Sequence, residues 1–138
     1  MCMMVYIGAD NELPIIDFQD EVSDICARKL DITYSDDEFA EENLTKEHKY
    51  LVGSWQGCGC GFAFGLAGFD DFANEHGRKS VQALFEYIRS NIKSDNCELL
   101  SFWAGEGMNE PSRVLDLKDF VLGESFEFLE GQYLTVEK

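Results

Sequence analysis

Residues 50–65 read YLVGSWQGCGCGFAFG, and their reading decides what kind of sheet the chain can build. In the first half, Tyr50 and Val52 fall on one face of an extended chain and Leu51, Gly53 and Trp55 on the other. In the second half, Phe62 and Phe64 lie opposite the small Ala63 and Gly65. A period of two is the signature of a strand. Two such arms separated by a few Gly-rich residues predict a β-hairpin, with Gln56 to Gly59 as its loop.

Working outward, an Asp- and Gly-rich loop over 68–77 leads to a helix over 78–93. There Val81, Leu84, Phe85, Ile88 and Ile92 form one apolar stripe, while Arg78, Lys79, Gln82, Glu86, Arg89 and Lys93 take the wet side. Residues 97–104 are apolar on both faces apart from Glu98 and Ser101, as in a central strand. Arm 60–65, the helix and this strand make a plausible crossover unit. Residues 3–8 form a further strand covered on both faces, ending in the turn cluster Gly8-Ala9-Asp10-Asn11. Pro14 biases Leu13 towards extended chain.

Residues 19–29 read as a short helical turn, 30–34 as a short strand, and Ser35 as the cap of a brief helix in a loop-like acidic stretch, 35–47. Residues 113–117 read as an edge strand and 118–122 as a turn of helix. Residues 126–129 and 132–136 read as a second hairpin around Glu130-Gly131. These elements predict a single α+β domain over 1–138. Its mixed sheet has about five to seven strands, with the main helix (about 78–93) packed on one face.

The 138 residues carry a formal net charge of −16. Residues 1–47 hold 13 acidic and 3 basic side chains and residues 98–138 hold 9 and 3, whereas 48–97 hold 5 of each. Such a surface repels nucleic-acid phosphates and anionic membranes, so neither is expected as a partner. It suits solubility, or an acidic inhibitor or mimic docked on a basic protein partner. No secretory signal and no stretch of membrane-spanning length is visible, so a cytoplasmic protein is expected. Five irregularly spaced cysteines, an odd number, argue for reduced thiols over a disulfide framework.

The run Gly57-Cys58-Gly59-Cys60-Gly61 carries the candidate chemistry. Three glycines on alternate positions predict a constrained loop, since glycine serves where φ is positive or where another backbone approaches. If the segment is extended, Cys58 and Cys60 project to the same side. Three readings follow. The thiols are small buried hydrophobes in a turn shaped by glycine. Or they hold zinc or iron with help from Cys2, Cys97, His48 or His76. Or they form a dithiol or a nucleophile, which needs a nearby cation or helix N-terminus. Neither a dinucleotide fingerprint nor a P-loop is present. Glu106 and Glu110, in the loop after the central strand, are candidate contacts beside Gln56 or simply solvated acids. The aromatic set Tyr50, Trp55, Phe62, Phe64, Phe102 and Trp103 serves as core or as pocket lining.

The start Met1-Cys2, the pair Leu13-Pro14, the segment Tyr50-Leu51-Val52-Gly53-Ser54, the run Gly57 to Phe62 and the ending Glu130-Gly131-Gln132-Tyr133 together resemble a family of small bacterial proteins. That family starts Met-Cys, carries Gly-Cys-Gly-Cys-Gly-Phe, and has no established activity. The resemblance implies a bacterial cytosolic source, and a first strand lying beside the Cys58/Cys60 segment if Cys2 belongs with that pair. The expected function is a small acidic binding or accessory protein rather than an enzyme. The rival is a cysteine-centred metal or thiol-redox site at Cys2, Cys58 and Cys60.

Overall fold

The computed structural model describes residues 2–20, 22–106, 113–118, 122–128 and 130–138. Its centre is β1 (Met3–Ala9), which is almost wholly buried. On one side β1 pairs antiparallel with β3 (His48–Ser54), Val5 facing Val52, and on the other with β4 (Asn96–Trp103), Val5 facing Ser101. Outside β3 lies β2 (Ile25–Lys29), with Ala27 against Val52. Outside β4 lies β6 (Gln132–Glu137), also antiparallel, and β5 (Arg113–Asp116) closes that edge in parallel to β6. The order β2-β3-β1-β4-β6-β5 is a mixed six-stranded sheet.

The strict alternation of β1 builds two hydrophobic clusters. Met3, Val5, Ile7 and Ala9 point to the face covered by α2 (Asp71–Asn91), joining Tyr50, Val52 and Leu99 and the helix side chains Val81, Leu84, Phe85 and Ile88. Each such large side chain taken out of water contributes roughly 1.5–3 kcal/mol, so this face dominates stability. Tyr6 points the other way, with Leu100 and Phe102, onto the short helix α1 (Ser35–Asn43) through Ala40 and Phe39. The fold is α+β with one main helix on one face, as the sequence predicts; α1 adds a smaller cover on the other.

Two buried carboxylates pin the second face. Asp37 accepts from the Tyr6 hydroxyl at 2.7 Å, from Arg28 Nη1 at 2.8 Å and from the Asp31 backbone N–H at 2.8 Å. Glu98 on β4 accepts from the Thr45 N–H and hydroxyl, from the Lys46 N–H at 2.8 Å and from the Tyr133 hydroxyl. Burial pushes the Glu98 carboxyl up, but the donors from Tyr133, Thr45 and Lys46 outweigh it and hold it below the usual carboxylate range.

Several local expectations are corrected. Residues 60–65 are not a strand: Gly59–Gly61 form a 3₁₀ turn, and Phe64 makes only an isolated bridge, to Phe126. Among the described residues, 126–128 form no ladder with β6, and Phe126 bridges Phe64 in place of the expected hairpin around Glu130-Gly131. The crossover through α2 starts from β3. Residues 25–29 are strand, not helix, because pairing to β3 overrides a weak helical spacing; 30–34 form a turn. The acidic 35–43 stretch is helical, held by the Asp37 bonds, with Tyr34 rather than Ser35 at the cap. The main helix begins seven residues earlier than the apolar stripe suggests, capped by Asp70, whose side chain accepts from the Ala73 N–H at 2.8 Å. The expected helical turn at 118–122 falls mostly outside the described residues. Among the described residues, no helix is long and apolar enough to cross a membrane.

Candidate functional site

The site grows from the way the chain leaves β3. Gly57 takes φ +85°, a left-handed conformation that side chains disfavour, and its N–H returns to the Ser54 carbonyl at 2.9 Å. The Ser54 N–H and hydroxyl both donate to the Cys58 carbonyl, at 2.9 and 2.6 Å. The loop is thereby closed on itself, and the chain enters the 3₁₀ turn directly beside the start of β1.

There the other glycines matter for space. A Cβ on Gly59 would lie 2.6 Å from the Met3 carbonyl oxygen and 2.6 Å from Val5 Cγ2, and one on Gly61 would lie 2.1 Å from Ser54 Oγ. Only a bare backbone fits between β1 and the end of β3. Cys60 Sγ in turn accepts from the Met3 N–H at 3.1 Å.

This close approach brings the sulfurs of Cys2, Cys58 and Cys60 within 4.8 Å of one another. Among the described residues, this is the one group of three or more His, Cys, Asp or Glu side chains at ligating separations. Cys2 is exposed, and Cys58 and Cys60 are half-buried. Burial, together with the neighbouring sulfurs of Cys60 and Cys2, pushes the Cys58 thiol up to about 11 against a backbone hydrogen bond that lowers it.

The other ligand candidates lie elsewhere. Cys97 and His48 sit at the Ala9 end of β1, His48 opposite Ala9 and Cys97 beside Glu98, whereas Cys2 precedes Met3 at the far end. The strand between spans about 20 Å. Cys97 is buried in the core, and burial pushes its thiol up to about 12. His76 packs on Trp55 and Phe72. Glu106 follows β4 in a turn whose N–H bonds back to the Trp103 carbonyl, and Glu110 lies outside the described residues.

Beside the thiols is a cavity of ≈ 390 Å³, walled by Met3, Cys60, Phe62, Trp103 and Phe128, with Glu127 at its lining. The aromatic set thus divides: Tyr50, Phe64 and Phe102 are core, Phe62 and Trp103 also face this cavity, and Trp55 faces a second cleft. Phe128 and Glu127 escape sequence reasoning because the Phe64–Phe126 bridge that carries them here leaves no local pattern.

Comparison with protein-family models, with curated proteins and with solved structures found no match for this chain.

Proposed function

We propose that this is a small metal-binding accessory protein in which Cys2, Cys58 and Cys60 together hold a thiophilic ion, zinc in the first instance. The observation that carries this reading is the mutual approach of the three sulfurs to within 4.8 Å, between the residue before β1 and the loop after β3, far apart in sequence. Zinc–sulfur bonds of about 2.3 Å in a tetrahedral arrangement place sulfurs roughly 3.7 Å apart. Side-chain rotation of about an ångström supplies that contraction. The exposed position of Cys2 leaves room for solvent or a further ligand at the fourth position.

The chemistry of Cys58 favours a metal over a thiol nucleophile. A thiol near pKa 11 is ionised in only about one molecule in 10⁴ at pH 7, which makes a poor nucleophile. A metal ion displaces the proton directly: each S–metal bond forms as a thiol proton leaves to solvent. The thiols must stay reduced for this, which suits a cytoplasmic setting.

The test is titration of the reduced protein with Co²⁺ or Cd²⁺, alongside elemental analysis of protein purified without chelator. Expected is one equivalent of ion with a thiolate-to-metal charge-transfer band, lost in Cys58→Ser and in Cys60→Ser. Absence of both the band and retained metal overturns the reading.

A further inference from the structure

A second feature lies on the other side of the 56–61 loop and owes nothing to the thiols. Trp55, leaving β3, meets Phe72 and His76, which sit one turn apart near the start of α2. The Trp55 and Phe72 rings stand at 81° with centroids 5.6 Å apart, and His76 lies 5.1 Å from Trp55 and 4.3 Å from Phe72. The Trp55 and Phe72 rings meet near a right angle with His76 against both, and of the three Phe72 is the exposed one. Phe72 keeps 60% of its surface in solvent, so its side chain is accessible from the cleft.

The corner forms one wall of a cleft of ≈ 570 Å³, whose other wall includes Asp20, Val22, Ser23 and Asp24, with Gln56 at the junction. The acidic wall is a built turn: the N–H groups of Val22 and Ser23 donate to the Gln19 carbonyl, and Ser23 Oγ accepts from the Gln19 N–H. Among the described residues six carboxylates are in ion pairs, Asp10 with Lys46 and Asp37 with Arg28 among them, and the others are not. Neither Asp20 nor Asp24 is in an ion pair with a described residue.

We infer that this cleft docks an arginine side chain presented by a basic partner protein. A guanidinium stacks on an aromatic face and offers a planar fork of N–H donors to carboxylates, so the two walls address the two halves of one group. A lysine satisfies the carboxylates but stacks less well. The net charge of −16 extends the same complementarity beyond the cleft, steering a basic chain towards it. This surface is separate from the thiol cluster, and its occupancy requires no metal.

The experiment is titration of the ¹⁵N-labelled full chain with a short peptide carrying two arginines among glycines, against the same peptide with lysine and with neutral citrulline. Expected is a saturable shift of signals from residues 20–24, 55–56 and 72–76, several-fold weaker with lysine and lost with citrulline. Phe72→Ala and the pair Asp20→Asn/Asp24→Asn should each weaken binding about tenfold, and the Asp pair, exposed and outside any ion pair with a described residue, should leave the thermal midpoint unchanged. Shifts spread evenly over the acidic surface and indifferent to both variants mean general charge attraction and overturn the inference. No saturable shift overturns it too. Saturation by tetramethylammonium as tight as by the peptide assigns the cleft to a small organic cation instead and overturns the partner.

Discussion

The Met3 backbone N–H donates to the sulfur of Cys60 at 3.1 Å, across 57 positions of sequence. The first residue of the central strand thus holds one thiol in place, while its carbonyl oxygen occupies the space that a Cβ on Gly59 would need. Sheet and turn are joined by this bond and by the tight approach at Gly59, which sets the three sulfurs within 4.8 Å of one another.

Gly59→Ala tests that joint. The new Cβ would meet Met3 O and Val5 Cγ2 at 2.6 Å, and neither can retreat from the middle of the sheet. We expect a loss of about 1–3 kcal/mol of stability and Co²⁺ affinity at least tenfold weaker. Thermal melts and the charge-transfer titration report both; unchanged values in both would separate the turn from the thiol geometry.

Gly77→Ala discriminates packing from propensity. In a helix interior, alanine is favoured over glycine by about 1 kcal/mol. Here a Cβ would lie 1.8 Å from the Ala63 carbonyl oxygen, so the loop must be pushed off α2. Denaturant unfolding should show the variant less stable by about 1–3 kcal/mol, opposite in sign to the helix-propensity expectation.

Glu98 sets an acid limit. Its carboxyl lies below the ordinary value of 4.5 in the folded protein, so the folded state favours the charged form. The stability this supplies is fully present above the unfolded value and is lost as pH falls through the lower folded one. Glu98→Gln keeps the shape but removes the charge that Thr45, Lys46 and Tyr133 address. It should cost about 1–3 kcal/mol at neutral pH and flatten the fall in stability below about pH 4.5. Urea melts across pH 3–7 measure the slope.

Alkylation of the native, metal-free protein should rank the thiols. Cys2 is exposed and Cys97 is buried with its thiol pushed up to about 12, ionised in about one molecule in 10⁴ at pH 8. Peptide mass spectrometry over a time course should find Cys2 modified first and Cys97 last. Equal rates would contradict the burial of β4.

What the sequence discloses follows the range of the interactions. Residues 3–9 and 96–103 are legible as central strands because both of their faces are apolar, a property each carries by itself. The stripe from Val81 to Ile88 is legible for the same reason. Phe62 and Phe64 alternate as a strand would, yet they sit in a packed loop, because the glycines before them serve a close approach that no local pattern announces. The first turns of α2 are hidden by Gly77, which reads as a breaker while it is a contact with Ala63; the Asp70 cap was the available signal, and with it Phe72 and His76 become neighbours one turn apart. Cys58 and Cys60 do lie close, though through the 3₁₀ turn at Gly59–Gly61 and not through the alternation of an extended segment, and Cys2 joins them through the β1–β3 register. Cys97 and His48, equal candidates by residue type, are separated from the cluster by the length of a strand.

Placing β1 in the middle of the sheet also fixes an order in time. Val5 must be flanked by Val52 on one side and Ser101 on the other, and both partners are synthesised long after it. Pairings so distant in sequence pay loop-closure entropy before they are rewarded, which makes folding slow relative to helical proteins of this size. The central strand, the most apolar segment of the chain, must therefore wait unpaired on the ribosome. The segment that follows it, from Asp10 to Asp37, holds nine acidic and two basic residues, and like charge of that density opposes association of chains still unpaired.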